Sequence, residues 1–295
     1  MRGIRRKLIL VLGLLALLAA PAAAQDRQHE LFKKLHLVTT PVTLGGGVAT
    51  LKPGPDFAYL NPADAEVFLT QIWQNERGSG SESLGVLVPR DVDVLSDDGW
   101  AIIIDYNSDG YVSDADAKTI DYDKLLKEMQ NDTVERSNER EKDGLDSVEL
   151  LGWAKRPSYD PASHKLYWAQ RLRFGGDHGE TLNYYIRALG RKGVLQLNVV
   201  ASMGQLAMVD RRLPEILPMV SFNPGYTYAE FDPKVESTAG YTIAGLIAGG
   251  VLAKAGFFKA LWLGILALKK FIILGVLAVF GAISTFFKKL FRRRN

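Results

Sequence analysis

The chain has 295 residues, 36 Lys and Arg against 33 Asp and Glu, and no cysteine, which excludes disulfides, thiolate catalysis and cysteine metal ligation. The net charge of +3 conceals a division: four positive charges in residues 1–24 and a net nine in residues 234–295 leave residues 25–233 with ten net negative charges. Such a body argues against nucleic acid as a partner, because neutralising phosphate needs the opposite sign, while the basic tail suits the anionic cytoplasmic leaflet of a membrane.

The N-terminus places Arg2, Arg5, Arg6 and Lys7 before an apolar core from Leu8 to Ala20, followed by Ala22-Ala23-Ala24. That order predicts a secretory signal peptide over 1–24 with cleavage after Ala24; an uncleaved signal anchor is the alternative. Residues 25–233 are then an exported domain, periplasmic or exterior, long enough to bury a core without crosslinks. A helix is expected over 26–37 and a glycine-centred hairpin over 42–51. Asn61-Pro62 supplies a cap and a first-turn proline for a short helix that buries Ala65, Phe68, Leu69 and Ile72 and ends at Trp73. Residues 75–83 read as a loop, and 84–88 and 100–106 as strands, the second a continuous apolar run suited to a central position. A helix over 121–142 should bury Leu125, Leu126 and Met129, its charged second half remaining solvated and frayed.

Four strands follow, at 147–154, 165–174, 181–189 and 193–201, with the Gly190-Arg191-Lys192-Gly193 turn between the last two. Leu206, Val209, Leu213 and Ile216 mark a helix that covers this antiparallel meander. The expected fold class is α+β, an antiparallel sheet meander with flanking helices, ahead of a C-terminal transmembrane helical tail.

That tail occupies residues 234–295. Residues 271–287 hold seventeen positions without a charge, reaching about 25 Å as a helix, the lower limit for a bilayer core. Lys288, Lys289, Arg292, Arg293 and Arg294 then belong in the cytoplasm under the positive-inside rule. One span is expected at 271–287, in the bacterial inner membrane, with 239–268 an apolar helix at the outer face; a two-span hairpin is the rival. Gly245 and Gly249, with Ala244 and Ala248, form a strip of small residues suited to self-association or to a membrane-protein partner; a glycine-softened helix without partner is the alternative.

One motif carries specific chemistry. Asp105, Asn107, Asp109, Ser113 and Asp116 occupy the first, third, fifth, ninth and twelfth places of a twelve-residue calcium loop, with Gly110 at the sixth and the carbonyl of Tyr111 at the seventh. Alternate residues of a tightly wound loop point inward, and calcium takes six to eight oxygens. Two features depart from the pattern: the loop is entered from a strand, and its last ligand is Asp rather than Glu. Over these twelve residues it is similar to dockerin modules. Calcium is the expected ligand, at an affinity of order 10⁻⁴ M; a turn whose side chains cap the next helix is the alternative.

Other candidates are weaker. His29-Glu30 lacks the second histidine of a zinc helix, since Lys33 stands there. The basic 190–193 tip reads as an anion site or a plain turn, and Trp153, Tyr159, Tyr167 and Trp168 as a ligand platform or core.

The blocks DGYVSDADA at 109–117, IDYDKLLKEMQ at 120–130, GWAKRPSYD at 152–160, KLYWA at 165–169, TLNYYIRALGRKGVLQLNVVA at 181–201 and AGLIAGGVLAKAG at 244–256 together resemble the bacterial membrane-anchored family called domain of unknown function 2167. The resemblance implies an exported domain on a hydrophobic tail and supplies no activity. A looser likeness, in fold alone, is to photosystem-associated PsbP-like domains. The expected function is a non-catalytic, membrane-anchored binding or scaffolding module. The competing expectation is an envelope hydrolase acting on lipid or cell wall, with Asp160 and His164 beside the aromatic cluster.

Overall fold

In the computed structural model, which describes residues 26–249 apart from 76–79, 97, 143, 145 and 176–179, the glycine run after Leu44 makes the expected turn. Gly45, Gly46 and Gly47 all take positive φ, at 57°, 66° and 109°, a conformation open to glycine at little cost. They join β1 (Val42–Leu44) to β2 (Ala49–Leu51), paired antiparallel with Thr43 opposite Thr50. Ahead of this hairpin lies α1 (residues 26–32). The signal peptide expected at 1–24, the span expected at 271–287 and the basic C-terminus lie outside the described residues. Among the described residues no helix is long and apolar enough to cross a membrane.

The main sheet has seven strands: β3 (Phe57–Leu60), β4 (Gly85–Pro89), β5 (Ala101–Asn107), β7 (Val148–Asp160), β8 (Lys165–Phe174), β9 (Glu180–Leu189) and β10 (Val194–Ser202). Their spatial order is β3-β4-β5-β10-β9-β8-β7, antiparallel throughout. The expected meander is present, and β5 is central, as its apolar run requires. Strand β3 was not anticipated; its four residues were too few to show a period. Strand β7 continues past the expected limit at 154 to Asp160, crossing Pro157. It tolerates the missing N–H because it is an edge strand, and it absorbs three register shifts.

One face of the sheet carries the alternation visible in the sequence. Ile186 stands opposite Leu197, and Tyr184 opposite Val199. These residues join Ile102, Ile104, Leu182 and Leu195 in one buried cluster. Helix α4 (Leu206–Ile216) covers it with Val209, Leu213 and Ile216, and β11 (Val220–Phe222) pairs with β2 to close the far side. Each such large apolar side chain contributes on the order of 1.5–3 kcal/mol by burial.

The opposite face is covered at its two ends. At the β3–β4 end sits α2 (Pro62–Val67), capped by Asn61, whose side-chain oxygen accepts from the Ala63 and Asp64 amides at 2.9 and 3.1 Å. It widens into a π-helical turn, Phe68–Ile72, and packs Phe68, Leu69 and Ile72 on Ala58, Leu60, Val86, Val88 and Ala101. At the other end α3 (Tyr122–Lys142) lies along β7. Its charged second half is largely exposed, as expected, but it stays helical to Lys142 and seats two side chains against the strand. Thr133 and Ser137 are buried, the Thr133 hydroxyl donates to the Met129 carbonyl at 2.7 Å, and Ser137 Oγ accepts the Val148 amide at 2.8 Å. Small hydroxyl side chains let a charged helix seat one face closely against a strand.

The C-terminal part of the body also differs from expectation. Residues 238–242, whose last four were assigned to an apolar helix, form strand β12 (Thr238–Thr242), parallel to β6 (Tyr111–Ser113) with Thr238 beside Tyr111 and Thr242 beside Ser113. Threonine and tyrosine favour a strand, and Gly240 at φ 76° does not belong in a right-handed helix. The first compact unit ends at Ile243. Helix α5 is short, Ile243–Ile247; it contains Gly245, whereas Gly249 lies beyond it at φ 97°.

Candidate binding cleft

Between α2 with its π turn and the end of α3, the second face of the sheet is left as the floor of a cleft. Two cavities of about 690 and 610 Å³ adjoin there and share Trp73, Gln74, Thr181 and Val200. Ile103, Asn183 and Val200 form the floor of the first, walled by Trp73, Gln74 and Asn75 on one side and Arg140, Asp146 and Phe174 on the other. Val94, Leu95, Ser96, Gly99 and Ser202 extend the second. The floor follows from register: Val200 faces Asn183 across β10–β9, and Asn198 faces Ile103 across β10–β5, so Ile103, Asn183 and Val200 of the three central strands share the face that lines it.

The wall at Trp73 is made by the π turn. An extra residue in the helix lets the Trp73 amide reach the Phe68 carbonyl at 2.9 Å and the Asn75 amide reach Leu69 at 3.0 Å. Gln74 therefore takes the left-handed conformation, φ 55°, that glycine usually adopts at a helix end. Trp73 is fixed on two sides: its Nε1 donates to the Val94 carbonyl at 2.9 Å and its ring lies 4.7 Å from that of Phe68. On the opposite wall Arg140 Nε donates to the Asp146 carbonyl at 2.9 Å. The carboxylate of Glu180 is held bidentately by Arg171 at 3.0 Å.

Further along the same face, charge is buried. The Arg187 guanidinium is 7% exposed, 5.2 Å from the Trp168 ring and 5.1 Å from that of Tyr185, with Nη1 donating to the Ile186 carbonyl at 3.0 Å. Burial pulls its pKa down to about 10, opposed by Tyr185, Asp105 and Tyr241. Asp105 is pushed above the usual carboxylate range, again by burial, which outweighs Arg187 and the amide of Asn198 at 2.9 Å. Gln196 stands between these two charges, opposite Asp105 on one side and Arg187 on the other. Asn198 Oδ1 and Trp168 Nε1 are buried without protein partners.

The residues of the calcium-type loop make the following contacts. Asp105 lies within β5, so its side chain follows the sheet's alternation and joins Asn198. Asn107 Oδ1 accepts the Asp109 amide at 2.8 Å, and Ser113 Oγ accepts the Ala115 amide at 3.3 Å. Tyr111 stacks on Phe231 at 3.8 Å and Tyr228 at 4.5 Å. Asp109 Oδ2 accepts the Tyr241 hydroxyl at 3.1 Å, and Asp116 accepts the Thr242 hydroxyl and the Ile243 amide. Among the described residues no three His, Cys, Asp or Glu side chains are grouped to hold a metal ion. The strand entry, visible in the sequence, carries the first oxygen, that of Asp105, onto the sheet face.

The remaining candidates are dispersed. Asp160 accepts from Ser163 Oγ and from the Ala162 amide, closing its own turn. His164 instead meets the Tyr159 hydroxyl at 3.2 Å and stacks on Tyr228 at 4.2 Å, while Tyr159 donates to Asp114 at 2.7 Å. Neither Asp160 nor His164 lines the cleft. Trp168 is core, stacked on Tyr185 at 5.0 Å, and Trp153 donates to the Tyr122 carbonyl beneath α3. At the 190–193 turn Glu236 takes both Arg191 and Lys192, at 2.8 and 3.9 Å, offsetting one of the tip's two positive charges. The cleft itself was not anticipated. Its trace in the sequence is the outward series Thr181, Asn183, Tyr185 with Asn198 and Val200, mixed in polarity where a fully solvated face would be charged.

A family model described as "Protein of unknown function (DUF2167)" matches residues 36–280. None of the curated proteins matches the chain. Among solved structures, cyanobacterial PsbP (CyanoP) from Synechocystis sp. PCC 6803 is similar with a TM-score of 0.35 and 8% identity, over 63% of this chain and 94% of that one. The Saccharomyces cerevisiae Ran-binding protein Mog1p is similar with a TM-score of 0.32 and 14% identity, over 64% and 96%. Likeness at this level carries no argument about function.

Proposed function

The chain belongs to the DUF2167 family of proteins of unknown function, and from the cleft we propose that its folded domain is a non-catalytic binding module. The supporting observation is the character of the two adjoining cavities: open, floored by rigid central strands, and lined by amides, hydroxyls, aromatic rings and aliphatic side chains, with Arg140, Asp146 and Glu180 as the charged groups and no histidine among their described lining residues; Glu180 is engaged by Arg171. Such a lining orients a ligand, whereas hydrolysis needs a base within hydrogen-bond reach of a nucleophile or water. A thermal-shift screen over oligosaccharides, short peptides and lipid headgroups tests the reading. At least one class should raise the melting temperature of the wild type and not that of Val200→Trp, whose indole fills the floor. Equal shifts in both proteins, or none in either, would remove the binding reading.

The module is placed at the outer face of a bacterial inner membrane. The basic, apolar and Ala-x-Ala order of residues 1–24 and the uncharged run 271–287 before Lys288 to Arg294 support export and anchoring. With no native cysteine, a single cysteine added after Asn295 reports topology cleanly. It should resist an impermeant thiol reagent in intact spheroplasts and react after lysis; labelling of intact spheroplasts would favour the two-span arrangement. Packing through Gly245 and Gly249 against a second copy or another membrane protein is tested by crosslinking in native membranes, with Gly249→Leu expected to lose the adduct.

A further inference from the structure

We infer that the cleft takes an extended, uncharged glycan strand, an inference that rests on the binding role proposed above. The floor decides against an extended peptide. Strands β5, β10 and β9 are hydrogen-bonded on both sides, so no backbone edge is open there for strand addition, the interaction through which sheets commonly take peptides. Charge decides against an anionic polymer. Residues 25–233 carry ten net negative charges, and among the described lining residues Arg140 is the one cation, beside Asp146 and Glu180, so the lining offers no cationic cluster for phosphate or sulfate.

The remaining lining matches a sugar chain. Gln74, Asn75 and Asn183 present carboxamides and Thr181 a hydroxyl, each of which both donates and accepts, as do the hydroxyl and acetamido groups around a pyranose ring. Trp73 and Phe174 present half-buried aromatic surface on opposite walls. A pyranose has an apolar C–H face with a polar rim, the complement of an aromatic ring beside amides. Trp73 is held rigidly by Val94 and Phe68, so little side-chain entropy is lost when a ring settles on it. Two adjoining cavities of about 690 and 610 Å³ suit several successive rings rather than one compact molecule.

Calorimetric titration of the purified full-length chain in detergent tests this with three probes: chitotetraose, cellotetraose and an alanine tetrapeptide. At least one tetrasaccharide should bind saturably, at least tenfold more weakly in both Asn183→Leu and Trp73→Leu, with melting curves showing that the variants fold. A preference for chitotetraose assigns the site to acetamido sugars, as in cell-wall strands; equal binding of the two assigns it to pyranose chains in general. Tetrapeptide binding without sugar binding, abolished by Val200→Trp, overturns the glycan and keeps the cleft as a binding site. Sugar binding unchanged in Asn183→Leu and Val200→Trp places the sugar elsewhere and overturns the inference. Absence of any sugar binding at millimolar concentration also overturns it, and the binding role falls with it only if the broader screen is equally empty.

Discussion

Asp116 holds the end of strand β12 with both carboxylate oxygens: Oδ2 accepts the Thr242 hydroxyl and Oδ1 the Ile243 amide, at 3.2 Å for the latter. Together with Asp109 on Tyr241 and the pairing of β6 with β12, this makes the acidic loop a clasp on the strand that precedes the apolar tail.

Asp116→Ala should therefore lower the stability of the folded body by about 1–3 kcal/mol, the range for leaving part-buried partners unsatisfied, seen as a fall of several degrees in melting temperature. The fall should be the same in calcium and in chelator. A calcium site with a dissociation constant near 10⁻⁴ M would add about 1.4 kcal/mol at a millimolar free concentration. A calcium-dependent melting shift that Asp116→Ala abolishes would place the cation in this loop.

Gly110 tests the same clasp through the backbone. It sits at φ 114°, and a Cβ there would meet the Ser237 carbonyl oxygen at 2.7 Å, just ahead of β12. Gly110→Ala should cost at least about 1 kcal/mol from the left-handed conformation alone. Hydrogen exchange should show the loss concentrated in Thr238–Thr242 rather than across the main sheet.

Gln74 carries the strain of the π turn at φ 55°. Gln74→Gly should raise stability by about 0.5–1 kcal/mol, as relief of the left-handed conformation outweighs the added freedom of the unfolded chain, measured as a higher urea midpoint at unchanged slope. If the cleft binds sugar through this carboxamide, the same variant should bind more weakly while being more stable.

Asp105 gives a pH dependence. Burial raises its pKa in the folded state, so between the unfolded and the folded pKa the native protein holds a proton that the unfolded chain has released. Stability contributed by this group is thus complete below the ordinary carboxylate range and declines as pH rises through the folded value. Asp105→Asn removes the dependence and keeps an acceptor for Asn198. Its stability relative to wild type should increase from pH 3 to pH 7 in chemical denaturation; a flat difference would mean that the Arg187 charge fully compensates the burial.

Much of the local structure was readable from the chain. The Asn61-Pro62 start, the glycine turn at 45–47, the alternation of Leu182, Tyr184 and Ile186 and the amphipathic Leu206–Ile216 helix each depend on neighbours a few residues away, and each appears where its pattern places it. The family was also legible, because its blocks are contiguous stretches. The site was not, because its pieces are distant in sequence. Trp73, Arg140 and Asn183 meet only when β10 inserts beside β5 and brings the meander against the N-terminal strands. The calcium-type spacing shows the same limit from the other side: the intervals name the oxygen atoms, while strand β5 decides that the first of them, on Asp105, lies on the sheet face beside Asn198. Composition and local period determined most of the elements, β3 and β12 excepted, with the acidic body and the apolar ends of the chain; long-range strand order decided which side chains face one another, since pairing register is set by contacts between strands that no short stretch of sequence contains.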